Sequence, residues 1–133
     1  MRKLISSGSK FEPILGFSRA VRVGSHISVA GTASVGPDGC TIGIGDPAAQ
    51  TRRIFQIVEG ALAEAGASLK DVVRTRIMVR NIQDWKSIGE VHGEVFQGIR
   101  PATCFVEVNR FIHHEWLVEI EVDAIVDDLD SGG

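Results

Sequence analysis

Hydrophobic and polar residues alternate with period two along the last third of the chain. From Trp116 to Asp123, Val118, Ile120 and Val122 fall on one side of an extended backbone and Glu119, Glu121 and Asp123 on the other. The run from Val72 to Arg80 repeats the pattern with the opposite charge. Val73, Thr75, Ile77 and Val79 share one face, and Arg74, Arg76, Met78 and Arg80 the other. A third alternating run extends from Arg100 to Val108. Opposite charges facing each other across adjacent strands attract by about 0.2 to 1 kcal/mol per pair. These strands are therefore expected to be neighbours in one sheet with an apolar and an ionic face.

Earlier segments supply the remaining elements. Arg2 to Ser7 predicts a short edge strand, and Ala20–Val23 and Ile27–Ala30 predict a hairpin turning at Gly24-Ser25. Asp46-Pro47 is a helix start, with the carboxylate as cap and proline in the first turn. Ile54, Ile57, Val58, Ala61, Leu62 and Ala65 follow at spacings of three and four, and Gly66 ends the helix. A second helix is predicted after an Asn81 cap, with Trp85, Ile88, His92, Val95 and Phe96 on its inner stripe and Gly98 and Pro101 at its exit. The order predicts a two-layer α+β domain over residues 1–126, with two helices on one face of a single mixed sheet. Residues 127–133, acidic and glycine-rich, predict a flexible tail. The uncovered ionic face is expected to be buried against sister subunits in a closed symmetric ring.

Composition narrows the function without naming it. A chain of 133 residues, 44% hydrophobic and 23% charged, is large enough for a core without metal or disulfide staples. The net charge of −3 gives no general attraction to phosphate backbones, so no nucleic-acid partner is expected. Cys40 and Cys104, far apart in sequence, suit reduced thiols rather than a secreted disulfide framework. Ser6 interrupts the start before an apolar segment of signal-peptide length develops, and no stretch approaches a membrane span. A cytoplasmic protein with no membrane partner is expected.

Glu119 and Glu121 are the first candidates for chemistry. Enclosure would raise the pKa of either and suit proton transfer, whereas a neighbouring arginine would lower it, and periodicity leaves both roles open. Cys104, in phase with Val106 and Val108, is expected to pack in the core. His113-His114-Glu115 has no third ligand at suitable spacing, so no metal is expected there. His92 reads as a satisfied, half-buried histidine and His26 as a turn residue. The glycine-rich loop 36–45 lacks the lysine of a P-loop and the spacing of a dinucleotide fingerprint, and reads as turn chemistry.

From Gly16 to Val126 the chain resembles the RidA (YjgF) family, the enamine/imine deaminases. The matching segments are Ser18-Arg19-Ala20-Val21, Val29-Ala30-Gly31-Thr32, Ala63 to Val73, Arg100-Pro101-Ala102, and Glu121-Val122-Asp123-Ala124-Ile125. The resemblance implies a chorismate-mutase-like fold assembled as a homotrimer, with clefts between subunits that bind a small-molecule metabolite and no cofactor. It implies hydrolysis of reactive imines or enamines to keto acids and ammonia. Carried over by position, Glu121 is the catalytic glutamate, with Glu119 as fallback, and Gly31 lies beside the cleft. Phe17 stands where the family has a tyrosine, and Thr103 where it has a carboxylate-gripping arginine. A threonine hydroxyl replaces neither the charge nor the fork of a guanidinium. Arg100 precedes that position by three residues, an offset that puts it on the wrong side of the strand.

Three functions compete on this basis. The first is a RidA-like hydrolase whose cleft, formed by Phe17, Gly31, Thr103, Phe105 and Glu121, accepts an uncharged or differently shaped imine, enamine or amide. The second is a non-catalytic relative that binds a metabolite or partner. The third is an endoribonuclease, which the acidic balance and the lack of an aromatic-basic stacking surface disfavour.

Overall fold

The computed structural model describes residues 2–127. Its strands are β1 (Arg2–Ile5), β2 (Ala20–Val23), β3 (His26–Thr32), β4 (Val72–Val79), β5 (Ala102–Glu107) and β6 (Val118–Ile125). They form one sheet in the order β1-β2-β3-β6-β4-β5. Only β4 and β5 pair in parallel, so the sheet is mixed. Two long helices, α2 (Pro47–Glu64) and α3 (Trp85–Phe96), connect β3 to β4 and β4 to β5. Because β3 and β4 both run antiparallel to the intervening β6, each long helix is a crossover between parallel strands. This is the two-layer α+β arrangement expected from the sequence. The tail expected from residue 127 onward lies, beyond Asp127, outside the described residues.

The charge pattern sets the central register. Arg74 sits opposite Asp123 and Arg76 opposite Glu121, while Thr75 meets Val122 and Ile77 meets Ile120 on the other face. That second face is the core: Ile27, Val29, Ile77, Val79, Val118, Ile120 and Val122 are buried against Ile54, Val58 and Leu62 of α2 and Ile88 and Val91 of α3. Phe96 packs edge-on to Phe55, with ring centroids 5.3 Å apart, and His92 lies 4.7 Å from the Phe96 ring.

Helix α2 begins as its sequence dictates, with the Asp46 carboxylate accepting the Ala49 N–H at 3.0 Å ahead of Pro47. At its other end Lys3 Nζ donates to the Glu64 carbonyl at 2.6 Å and Arg22 Nη1 to the Ala65 carbonyl at 2.8 Å. Cations are favoured there by the helix dipole. Gln50 is fully buried although polar. Its amide donates to the Gly43 and Glu115 carbonyls and accepts the Leu117 N–H, tying α2 to the loop entering β6.

Four details depart from expectation. A register shift between Val72 and Arg74 turns Val73 outward, and Val72 takes the core position instead. Trp85 is the first residue of α3 and stays 55% exposed; the buried stripe starts at Ile88 and includes Val91, which the predicted stripe omits. A five-residue helix, α1 (Phe11–Leu15), interrupts the link from β1 to β2 and ends at Gly16, whose φ of 75° suits glycine. Finally, Cys104 is exposed rather than in the core. It pairs with Arg76 and so shares the ionic face, while Thr103 and Phe105 pair with Thr75 and Ile77 and share the helix face.

Candidate functional site

The open face of the sheet gathers its chemistry where β3 meets β6. Between the pairs Val29↔Val122 and Thr32↔Ile120 the β3 strand carries an extra residue, so Ala30 and Gly31 together face Glu121. A Cβ placed on Gly31 would come within 3.5 Å of Glu119 Oε2 and 4.0 Å of Glu121 Cγ. Glycine therefore leaves the space beside the Glu119 carboxylate and the Glu121 stem clear.

The two glutamates, two residues apart on one strand face, stand in different surroundings. Glu121 Oε1 accepts a bond from Arg76 Nη1 at 2.9 Å, an ion pair with both side chains over 40% exposed. Glu119 is half-buried and makes no hydrogen bond among the described residues. Burial pushes its carboxyl above the ordinary range; Arg19 pulls it back in part and the Glu121 charge pushes it further. A carboxyl that resists ionisation and has no fixed partner can both take and return a proton.

The segment before β2 closes one side. Burial raises the Glu12 carboxyl, but bonds from Ser7 and Ser6 outweigh it and hold the group below its ordinary range. Ser6 Oγ donates at 2.8 Å, the Ser7 N–H at 3.0 Å, and the Ser7 hydroxyl also bonds this carboxylate. Those bonds fasten β1 to α1 and so place Phe17, whose N–H reaches the Glu12 carbonyl at 3.0 Å. The Arg19 guanidinium lies 5.5 Å from the Phe17 ring centroid, and its Nη2 donates to the Gly31 carbonyl at 3.2 Å.

Of the residues singled out from sequence, Gly31, Glu119 and Glu121 are thus brought together, and Phe17 is joined to Gly31 through Arg19. Thr103 and Phe105 are placed elsewhere within one chain. Thr75 Oγ1 donates to Thr103 Oγ1 at 2.6 Å and lies 2.9 Å from His92 Nε2, so Thr103 caps a polar chain running toward α3. Burial lowers the His92 pKa and keeps the imidazole neutral. Phe105 packs on the edge of the core beside Gly89. The sheet separates this pair from Glu121. Arg100 is exposed and left-handed, with φ of 59°, and its N–H closes α3 on the Phe96 carbonyl at 2.8 Å. In the last loop His113 and His114 stack at 4.8 Å, and no cluster of metal-ligating side chains occurs among the described residues.

Arg19 is the site residue that sequence reasoning passed over. Parity was the available signal: Ala20 pairs with Val29 on the core face, so the residue before it faces the carboxylates.

A family model described as Endoribonuclease L-PSP matches residues 7–126. A protein from Acinetobacter baylyi named 3-aminoacrylate deaminase RutC is 32% identical over 108 residues, covering 81% of this chain and 85% of its own length. The crystal structure of Rv2704 from Mycobacterium tuberculosis, described as a member of the YjgF/YER057c/UK114 family, shares 50% identity. It superposes with a TM-score of 0.86 over 95% of this chain and 100% of that one. The YjgF gene product of E. coli, 25% identical, superposes with a TM-score of 0.80 over 94% of this chain and 99% of its own. No helix among the described residues is long and apolar enough to cross a membrane.

Proposed function

We propose that this chain, which belongs to the Endoribonuclease L-PSP family that includes the RidA, YjgF and RutC proteins, is a hydrolase of small reactive enamines and imines. The observation that carries the reading is Glu119, an unpaired carboxyl held above its ordinary pKa beside the gap left by Gly31. The relative named for 3-aminoacrylate deamination supports the substrate class.

In this reading water adds to the imine carbon while the Glu119 carboxylate takes its proton. The C–O bond forms as the C=N π electrons move to nitrogen. The carboxyl returns that proton to nitrogen, which gives the neutral carbinolamine; it then takes the hydroxyl proton and delivers it to nitrogen as the C–N bond breaks and the C=O bond forms, and carbonyl and ammonia leave. The sum is C=N plus water giving C=O plus ammonia, with no electron transfer. Glu121, fixed by Arg76, shapes the cleft and raises the proton affinity of its neighbour.

We also infer that three copies close around their open faces, in keeping with the exposed Val73 and Val106 beside the ionic rows. A neighbouring copy would then bring its own Thr103 edge to the carboxylates, which one chain alone leaves apart. Native mass spectrometry should give a mass of three chains, and a lone chain at assay concentration would overturn the ring. The activity is tested by generating 2-aminoacrylate or 3-aminoacrylate in situ and following ammonia. Release faster than spontaneous hydrolysis is expected, and a rate equal to buffer would leave the chain a non-catalytic binder.

A further inference from the structure

Arg19 has far more hydrogen-bonding capacity than the fold uses. A guanidinium carries five N–H donors, yet among the described residues only Nη2 has a hydrogen-bond partner, the Gly31 carbonyl. Nε is buried with none, and Nη1 has none among the described residues. Glu12 and Glu119 attract it through space, but neither ion-pairs with it: Glu12 is engaged by Ser6 and Ser7, and Glu119 makes no bond. The Phe17 ring and the Gly31 carbonyl flank the guanidinium, and Gly31 is also the residue beside Glu119. The other cations of this face are occupied differently. Arg76 is bonded to Glu121, and Arg74 stands opposite Asp123.

We propose that Arg19 is the group that holds the carboxylate of an acidic enamine or imine, and that it sets the preference of this chain for carboxylated over neutral substrates. The proposal rests on the hydrolase reading and names the substrate class of the same site. A planar fork with an unengaged Nη1 suits a carboxylate, and the bond to the Gly31 carbonyl, with the Phe17 ring 5.5 Å away, lowers the ordering needed to bind it. Glu119 lies close enough to be felt by the same guanidinium. An anion held by Arg19 would thus bring the adjoining C=N carbon toward that carboxyl, across the space Gly31 leaves clear. Thr103 is on the helix face of the same chain and lacks the charge for this task.

The test compares wild type, Arg19→Gln and Arg19→Lys on an enamine acid and on its methyl ester. Arg19→Gln should lower kcat/KM on the acid roughly 30-fold or more and leave the ester nearly unchanged. Arg19→Lys, which keeps the charge but not the fork, should fall between. Pyruvate binding, read by thermal shift, should be lost in Arg19→Gln and kept in Arg74→Gln. Equal losses on acid and ester, or unchanged pyruvate binding in Arg19→Gln, would overturn the proposal. If wild type turns over neither compound, the hydrolase reading fails while pyruvate binding still decides the role of Arg19. If Arg19→Gln does not fold, Arg19→Lys decides, and pyruvate affinity equal to wild type counts against the fork.

Discussion

Glu119→Gln is expected to lower turnover of an acidic enamine by about 10²- to 10⁴-fold, the range that a positioned acid–base group contributes. Glutamine keeps the shape of the side chain, so the space beside Gly31 is preserved while the transferable proton is lost. Glu121→Gln should cost less, because its carboxylate is already committed to Arg76. The same substitution has a stability signature of known sign. Burial makes the folded chain hold the Glu119 proton more tightly than the unfolded chain does. The folded state is therefore favoured below the ordinary carboxyl range, and wild type loses that advantage as pH rises from there through the raised pKa. Glutamine cannot ionise. The stability of Glu119→Gln relative to wild type should thus increase across that window and level off above it, as urea melts at several pH values would show. A difference that runs the other way would mean that Glu119 is stabilised as an anion.

Phe96→Ala should destabilise the fold by about 3 to 5 kcal/mol, a large share of the roughly 5 to 15 kcal/mol that holds a typical domain together. Phe96 is only 2% exposed and closes α3 against Phe55 of α2, with the His92 ring tilted beside it. Removing the ring opens a cavity between the two helices, where backbone on both sides is held by hydrogen bonds and cannot collapse into it. Trp85→Ala, at the other end of the same helix, deletes a larger side chain yet should cost about 1 kcal/mol or less, because that indole is mostly in solvent. Urea denaturation of the two variants checks the contrast. Similar losses would mean that Trp85 is covered, for example by a second copy of the chain.

Charge and periodicity made the centre of the sheet legible. Arginines on one alternating run and acids on another specified the neighbours β4 and β6, and the pairs Arg74↔Asp123 and Arg76↔Glu121 follow that pattern. Asp46-Pro47 fixed the start of α2 by cap chemistry that needs no tertiary partner. Illegible features all depended on what lies across the strand. The bulges at Val72–Arg74 and at Ala30–Gly31 each add a residue without a sequence mark beyond one glycine. Strand β5 pairs only with β4 and is mostly exposed on both faces. Its alternation therefore carries no sign of which phase is core: Cys104, in phase with Val106 and Val108, reads as inward, whereas the structure puts Thr103 and Phe105 on the helix face. The five residues of α1 are too few to show a helical period. At the site, spacing paired the two glutamates but could not rank them. The resemblance puts Glu121 first; the proposal that Glu119 carries the proton instead rests on Arg76 reaching Glu121 and leaving Glu119 without a hydrogen-bond partner among the described residues.

Titration of the Glu119 side-chain carboxyl by carbon-13 NMR, with and without pyruvate, tests the central claim most directly. A midpoint above that of an ordinary glutamate, displaced when the keto acid binds, is the predicted result. A midpoint at or below the ordinary value and indifferent to ligand would contradict it, since Glu119 would then be a plain surface anion with no hold on a catalytic proton.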